Sequence, residues 1–154
     1  MIIKSLILDN VGLYSQRTEF SLEPKKSSIT NRPIILIGGR NGAGKTTFLD
    51  SVRLALYGKR ALGLGISNKE YHQYLLSKTN QNHPERTSNI ELKFIYTEGS
   101  VPAEFTVYRS WVIGSDHQVH ESLDLQKNGK TVTSVPKQEW ENFLLELIPI
   151  GVSQ

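Results

Sequence analysis

The spacing of apolar residues changes along the chain, and each spacing predicts a different element. Near the N-terminus, Ile3 and the apolar residues 6–8 predict a strand, and residues 18–22 predict its antiparallel partner. A polar loop over residues 25–32 leads into the apolar run 33–37. Such an uninterrupted run is typical of a strand buried on both faces in a parallel sheet.

Helical spacing comes next. A helix is predicted over residues 46–57, followed by Gly58 where a C-terminal cap is expected. A second helix is predicted to begin at Ser67, which together with Glu70 has the spacing of a capping box. The apolar faces of these two helices are Phe48, Val52, Ala55 and Leu56 in the first, and Tyr71, Tyr74 and Leu75 in the second.

The remaining segments are predicted to be loops, strands and a last helix. The Gly-rich residues 61–65 predict a flexible loop, and the polar residues 79–88 a disordered loop or linker. Apolar residues then alternate with polar ones over 90–96, 105–113 and 119–125, which predicts strands. Asn128-Gly129 signals a type I′ hairpin with its return at 131–132. A helix is predicted over 136–148, with an apolar face formed by Trp140, Phe143, Leu144, Leu147 and Ile148.

Composition narrows the class of protein without naming a function. The 154 residues are 38% hydrophobic and 21% charged, which predicts one soluble globular domain's worth of chain. The absence of cysteine excludes a disulfide framework or thiolate metal site, and it fits a cytoplasmic location. We expect no contact with membranes, because no apolar run is long enough to cross a bilayer. The net charge of +3 permits nucleic-acid binding but is equally typical of a solvated surface.

The segment GRNGAGKT, from Gly39 to Thr46, fits the G-x-x-x-x-G-K-[ST] phosphate-binding pattern. Glycines at 39, 42 and 44 allow successive N–H groups to turn toward an anion. Lys45 supplies a charge for the β- and γ-phosphates, and the Thr46 hydroxyl is placed to bind Mg²⁺. Since a predicted strand precedes the segment and a helix follows it, the sequence predicts an α/β P-loop NTPase that binds a nucleoside triphosphate.

A second carboxylate, needed to hold Mg²⁺ and orient water, is not evident in the sequence. No run of four apolar residues ending in Asp or Glu occurs after residue 50, and Glu98 and Asp124 follow half-exposed strands. The region after Ser88 also offers hairpins instead of parallel neighbours for the strand at 33–37. We therefore expect residues 1–154 to be part of an ATPase domain whose other half lies elsewhere.

Three stretches resemble the N-terminal head segment of ATPases of the SMC (structural maintenance of chromosomes) type. These are residues 1–10, the run LIGGRNGAGKTTFLDSVRLALYGKRA over 36–61, and the ending IPIGVSQ over 148–154. The run LYGKRA at 56–61 is most similar to the DndD family, the ATPases of bacterial DNA sulfur modification (phosphorothioation). The resemblance implies the N-terminal half of an ABC/SMC-type head with an antiparallel β-subdomain. Its C-terminal half would carry the signature motif and the catalytic carboxylates.

The resemblance also implies partners and residue roles. It implies a cytoplasmic ATPase that uses ATP and Mg²⁺, dimerises with a second protomer around nucleotide, and acts on DNA with sulfur-modification partner proteins. Lys45 and Gln154 would be catalytic, and Thr46 and Gln154 would approach the metal, the carboxamide offering an oxygen without added charge. The residues expected to bind nucleotide are Gly39, Asn41, Gly42, Ala43, Gly44, Lys45, Thr46 and Thr47.

The sequence departs from this family after the first strand. Many SMC-like heads carry a basic residue just after the strand's Asn, whereas this chain reads Asn10-Val11-Gly12-Leu13-Tyr14. Tyr14 would then either stack on the base or pack in the interior. Four cations near the first two helices either contact DNA phosphates or are solvated, and Arg109 pairs with a carboxylate or stacks on an aromatic ring. The four cations are Arg53, Lys59, Arg60 and Lys69.

Alternative functions use the same phosphate loop. The chain could belong to another SMC-like DNA repair or recombination ATPase, or to a transporter-type ABC ATPase. In the transporter class the nucleotide-sensing glutamine lies about half as far beyond the lysine, without a long antiparallel insertion between them. A small-molecule kinase would need an Arg-rich lid and a parallel sheet after the loop, which residues 88–132 do not predict. A long heptad-bearing helix after Gln154 would favour the SMC-like interpretation.

Overall fold

The computed structural model describes residues 1–23 and 45–151, and of Lys45 only the backbone. The predicted loop at 25–32, the predicted strand at 33–37, the glycines of the phosphate loop and Gln154 lie outside the described residues. Within the described ranges, no helix is long and apolar enough to cross a membrane.

A six-stranded antiparallel sheet is the framework of the described chain, with strand order β2-β1-β3-β4-β5-β6. β1 lies between β2 and β3, and its pairing with β3 shifts register between Ile3 and Ser5. β3, β4 and β5 follow as consecutive hairpins, with Leu92 opposite Val107 and Val107 opposite Leu125. The strands are β1 (Ile2–Asp9), β2 (Thr18–Ser21), β3 (Ser88–Glu98), β4 (Val101–Ile113), β5 (Val119–Lys127) and β6 (Lys130–Thr131).

The predicted strand alternation is confirmed, because one face of the sheet is buried. Side chains of alternate residues point to opposite faces of a strand, so the apolar set of each strand shares one side. This face packs against the helices, and α1 contacts both β3 and β4. Its fully buried members include Leu6, Leu8, Ile90, Leu92, Phe94, Val107, Trp111 and Leu125.

Three α-helices accompany the sheet: α1 (Lys45–Tyr57), α2 (Asn68–Lys78) and α3 (Trp140–Leu147). The apolar face predicted for α1 is buried, and Gly58 follows the helix with φ +53°, the left-handed conformation expected of a C-terminal glycine. α2 has the predicted capping box, in which Ser67 and Glu70 each accept a hydrogen bond from the other's backbone N–H. A short 3-10 helix (Lys137–Glu139) precedes α3, so the α-helix is shorter than the predicted helix over 136–148.

The turn at Asn128-Gly129 is confirmed, with φ values of 52° and 80° as a type I′ turn requires. The return strand after it covers Lys130–Thr131, one position earlier than predicted. Val132 then donates its backbone N–H to the carbonyl of Leu125, so it continues to follow β5.

Two predicted loops are wrong in part, although residues 63–65 lie outside any helix or strand as predicted. Residues 58–62 form a 3-10 helix (Gly58–Leu62) directly after α1, so Ala61 and Leu62 belong to an element and not to a flexible loop. Residues 79–88 are not a disordered linker, because Thr79, Asn80 and Ser88 are buried. Their order comes from partners far away in sequence: Trp111 donates its indole N–H to Thr79, and the Ser88 hydroxyl donates to the carbonyl of Asn10.

Candidate nucleotide-binding site

The structure places three of the predicted site residues together at the start of α1. Lys45 is the first residue of the helix, and Thr46 and Thr47 follow in its first turn. Thr46 is exposed and Thr47 is half-buried. The other predicted site residues lie outside the described part of the chain, so their arrangement stays a prediction; they are Gly39, Asn41, Gly42, Ala43, Gly44 and Gln154.

The beginning of α1 has the properties of an anion site. The first N–H groups of a helix lack partners within the helix, and the aligned peptide dipoles place partial positive charge at that end. No acidic residue stands in the first turn of α1 to compete with an incoming phosphate. Thr46, in this first turn, is exposed, and a hydroxyl is an oxygen donor of the kind that Mg²⁺ binds.

Gly12 fixes the position of this helix end. A Cβ atom at Gly12 would lie 2.7 Å from Cγ2 and 2.9 Å from Oγ1 of Thr47, and the residue has φ +55°. Both observations require glycine, since a side chain would collide with Thr47 and would also strain the backbone. The turn after β1 thus lies directly against the first turn of α1.

The turn after β1 is itself held by residues 78–88. Gly12 donates its N–H to the carbonyl of Lys78 at 2.6 Å, and Asn80 donates its amide to the carbonyl of Gly12 at 2.6 Å. Asn10, fully buried with φ 58°, donates its side-chain amide to the carbonyl oxygens of His83 and Arg86. Buried polar groups paired in this way specify one backbone arrangement, because an unpaired one costs free energy.

A second contact joins α2 to the same region of α1. The ammonium of Lys78 lies 2.7 Å from Oδ2 of Asp50, and both side chains are about a quarter exposed, at 21% and 31%. The hydroxyl of Ser51 donates to the carbonyl of Thr47 at 2.6 Å. The first two turns of α1 are therefore held from the β1 turn and from α2.

Tyr14 is half-buried and packs against the hydrophobic core, which agrees with the second of the two roles considered for it. Its ring lies edge-on to Phe20, with centroids 5.5 Å apart, and Phe20 lies edge-on to Phe48 of α1 at 5.3 Å. This aromatic chain joins the β1–β2 connection to α1.

A family model described as an AAA domain matches residues 5–148 of the chain. The chain belongs to this AAA domain family. The match covers nearly all of the described structure, including the antiparallel sheet. It agrees with the P-loop ATPase class predicted from the phosphate-binding pattern.

One curated relative is a DNA double-strand break repair Rad50 ATPase of Nanoarchaeum equitans, 45% identical over 58 residues. The aligned part covers 38% of this chain but only 6% of the relative. The AAA domain match and this relative together support the SMC-like ATPase segment expected from the sequence. Neither match separates the DNA sulfur-modification branch from other SMC-like ATPases.

The other end of α1 in this AAA domain meets a buried arginine. Arg109 of β4 is fully buried, and its Nε and Nη2 donate to the carbonyl of Ala55 at 3.4 and 3.2 Å. Its Nη1 donates to Oε1 of Glu121 at 2.7 Å and to Oε1 of Glu141 at 3.0 Å. Of the two roles considered for Arg109, pairing with a carboxylate is confirmed.

Electrostatics explain how this arginine stays charged. Burial by itself lowers the pKa of Arg109, but Glu121, Tyr71 and Glu141 raise it, and the resulting pKa lies above the usual value. Tyr71 donates its hydroxyl to Glu121, and burial raises the pKa of this phenol while the Arg109 charge partly opposes the rise. The sequence alone does not indicate that Glu121, Glu141 and Ala55 are the partners of Arg109. The sequence signal that could have indicated such partners is the position of Arg109, which falls among the buried apolar residues of an alternating strand.

Two of the four cations considered for DNA binding have partners within the domain. Arg53 donates from Nη2 to the carbonyl of Ala61 at 3.3 Å, and Lys59 donates to Oδ1 of Asn68 at 3.0 Å. These contacts support the 3-10 helix and the start of α2. Among the described residues, no group of three or more His, Cys, Asp or Glu side chains is arranged to hold a metal ion.

Proposed function

We propose that the chain is the ATP-binding N-terminal segment of an SMC-like ATPase head, which binds ATP with Mg²⁺ and couples nucleotide state to head dimerisation. The observation that carries this proposal is the helix α1, which begins at the lysine of a complete phosphate-binding sequence within a matched AAA domain. The free N–H groups of its first turn suit a triphosphate, and no carboxylate in that turn opposes one.

Each site residue has a role under this proposal. The backbone of residues 39–44 surrounds the phosphates, Lys45 neutralises the β- and γ-phosphates, and Thr47 supports the loop from the side of Gly12. Thr46 and Gln154 approach Mg²⁺ through their oxygen atoms. Gln154 also approaches the γ-phosphate and couples its presence to movement of the head. The ion, when bound, neutralises charge that develops on the transferred phosphoryl group.

We propose DNA as the substrate of the full-length protein, with a C-terminal head half and a second protomer completing the site in the cytoplasm. Sulfur modification of DNA, with its partner proteins, is the finer assignment, supported by the run LYGKRA at 56–61. A DNA repair ATPase is the second candidate, favoured by the 45% identity to the Rad50 ATPase. The transporter alternative is disfavoured by the hairpins of β3, β4 and β5, which lie between α1 and α3.

Substitution of the phosphate-loop lysine tests the proposal. Lys45→Ala is expected to weaken MgATP binding by at least about tenfold, because the ammonium that the pattern assigns to the β- and γ-phosphates is lost while the fold remains. Binding is measured by calorimetric titration, and the far-ultraviolet circular dichroism spectrum checks the fold.

Lys59→Ala is the matched control. It removes the same charge at a half-buried position outside the phosphate loop, where the ammonium contacts Asn68, and it should bind MgATP as tightly as the unmodified protein. Equal affinity of the Lys45→Ala variant and the unmodified protein would mean that nucleotide binds elsewhere.

A further inference from the structure

α1 is fixed at both ends by unrelated sets of contacts. Gly12 and Lys78 hold its first turns, as described above. At its other end the Ala55 carbonyl receives two hydrogen bonds from Arg109, and the Tyr57 hydroxyl donates to the carbonyl of Pro149 at 3.5 Å. A 13-residue helix is about 20 Å long and behaves as a rod, so a movement at one end tilts the other.

Arg109 joins this far end to four other elements. The arginine lies on β4, Glu121 on β5, Glu141 on α3, and Tyr71 of α2 donates its hydroxyl to Glu121. Gly58 closes the cluster, since a Cβ there would lie 2.9 Å from both Nη1 of Arg109 and Oε1 of Glu141. A side chain at position 58 would therefore displace the guanidinium or the Glu141 carboxylate.

A buried ion pair is a poor choice if stability alone is needed. Removing charges from water costs free energy that their attraction often fails to recover, and apolar residues of similar size usually serve as well. What the arginine adds is direction: its planar fork binds two acceptors at fixed angles, which neither lysine nor an apolar residue can do. Here one arm of the fork faces a helix carbonyl and the other faces two carboxylates.

We propose that Arg109 is a positioning residue for the nucleotide: by fixing the far end of α1 against β5 and α3, it sets the tilt that aims the first-turn amides at the triphosphate. This inference rests on the proposed function. A misplacement of about 1 Å at reacting groups can lower a rate by about a hundredfold. The effect of Arg109 should therefore appear in turnover more than in the fold.

The test compares variants of the full-length protein in MgATP hydrolysis and binding. Arg109→Met removes the fork, and Arg109→Lys keeps the charge but loses the two-sided geometry. Both are expected to lower kcat/KM for MgATP by about tenfold to a hundredfold. Glu141→Ala, on a side chain that is 46% exposed, leaves the Glu121 contact and tests the same cluster with little risk to folding. It should lower kcat/KM by a smaller factor.

A control separates positioning from loss of stability. Phe94→Leu disturbs the stack of Phe94 on Phe105, four positions along β4 from Arg109, and should lower Tm without lowering kcat/KM. If the three cluster variants match Phe94→Leu, with lower Tm and unchanged kcat/KM, the inference about Arg109 is overturned while the proposed function stands. If the unmodified protein neither binds nor hydrolyses MgATP, the proposed function itself fails.

Discussion

Buried polar side chains fix the backbone on either side of α1. Asn10 and Arg109 are fully buried, and each donates to backbone carbonyls of residues far away in sequence. Leaving such a group unpaired costs about 1–3 kcal/mol, so these side chains favour one arrangement over nearby alternatives. Both positions lie close to an end of the helix that carries the proposed nucleotide site.

Tyr74 of α2 gives a prediction about pH. Burial, followed by the charge of Asp50, raises the pKa of Tyr74 to about 12, and Arg53 partly opposes the rise. An unfolded chain ionises tyrosine near pH 10. The folded state holds the phenol proton of Tyr74 more tightly than the unfolded state does. The contribution of Tyr74 to the free energy of unfolding is therefore constant below about pH 10 and is lost as pH rises from there to about 12.

The comparison of unmodified protein with Tyr74→Phe isolates this contribution. Urea denaturation at intervals between pH 8 and the onset of alkaline unfolding should show a shallower loss of stability in the variant, because phenylalanine does not ionise. The two proteins should show the same dependence on pH below about 9.5. Parallel curves throughout would show that Tyr74 titrates normally in the folded state.

The contact between the β1 turn and α1 gives a prediction for a pair of elements. Gly12→Ala should destabilise the protein by about 2–3 kcal/mol, from about 1–2 kcal/mol of left-handed backbone strain and from the collision with Thr47. It should also weaken MgATP binding, because the first turn of α1 is displaced. Chemical denaturation and nucleotide titration measure the two effects.

A double-mutant cycle with Thr47→Ala separates strain from collision. In that background the methyl and hydroxyl that Gly12→Ala would strike are gone, so the cost of Gly12→Ala should fall to the backbone part, about 1–2 kcal/mol. Additive losses in the double variant would mean that the turn and the helix are not in contact.

Elements with a regular period could be predicted from the sequence, and elements held by distant partners could not. The strands β3, β4 and β5 and the buried face of α1 follow from periodicity, because one side of each must be buried. Residues 79–88 have no period and read as disordered. They are ordered by hydrogen bonds from the side chain of Asn10 to His83 and Arg86, which lie 73 and 76 positions away in sequence. A local sequence pattern cannot reveal contacts over such distances.

The same distinction applies to the candidate site: its local part could be predicted from the sequence, and its contacts with distant residues could not. The phosphate-binding pattern predicted a helix from residue 46, close to the observed start at Lys45, since glycine, lysine and threonine at that spacing have local roles. Arg109 could be recognised as a buried cation in need of partners. Its partners, at separations of 12, 32 and 54 residues, depend on the register of β5 and on where α1 and α3 pack.

At the scale of the whole molecule, we expect nucleotide binding and hydrolysis to depend on different segments of the full-length protein. The chain spans 6% of the length of the Rad50 relative it matches, and the carboxylates and signature motif of a complete head would come from other segments. We expect residues 1–154 to bind MgATP but to hydrolyse it at least about a thousandfold more slowly than the full-length protein, since charge-stabilising groups are worth that much.

Steady-state phosphate release from the two proteins, at equal concentration and saturating MgATP, measures the difference. Lys45→Ala in the full-length protein serves as the background rate. Hydrolysis by the isolated segment at a rate close to that of the full-length protein would refute the split-head proposal, because it would show that one half contains the whole catalytic apparatus.

The central claim is that the start of α1 holds the phosphates of a nucleotide. Its most direct test is a crystal structure of the protein with Mg²⁺ and a non-hydrolysable ATP analogue. The proposal predicts triphosphate density against the backbone N–H groups of residues 42–47, with the Lys45 ammonium beside the outer phosphates and a metal ion at the Thr46 hydroxyl. Nucleotide bound elsewhere, or a first turn of α1 occupied by the protein's own side chains at saturating analogue, would contradict it.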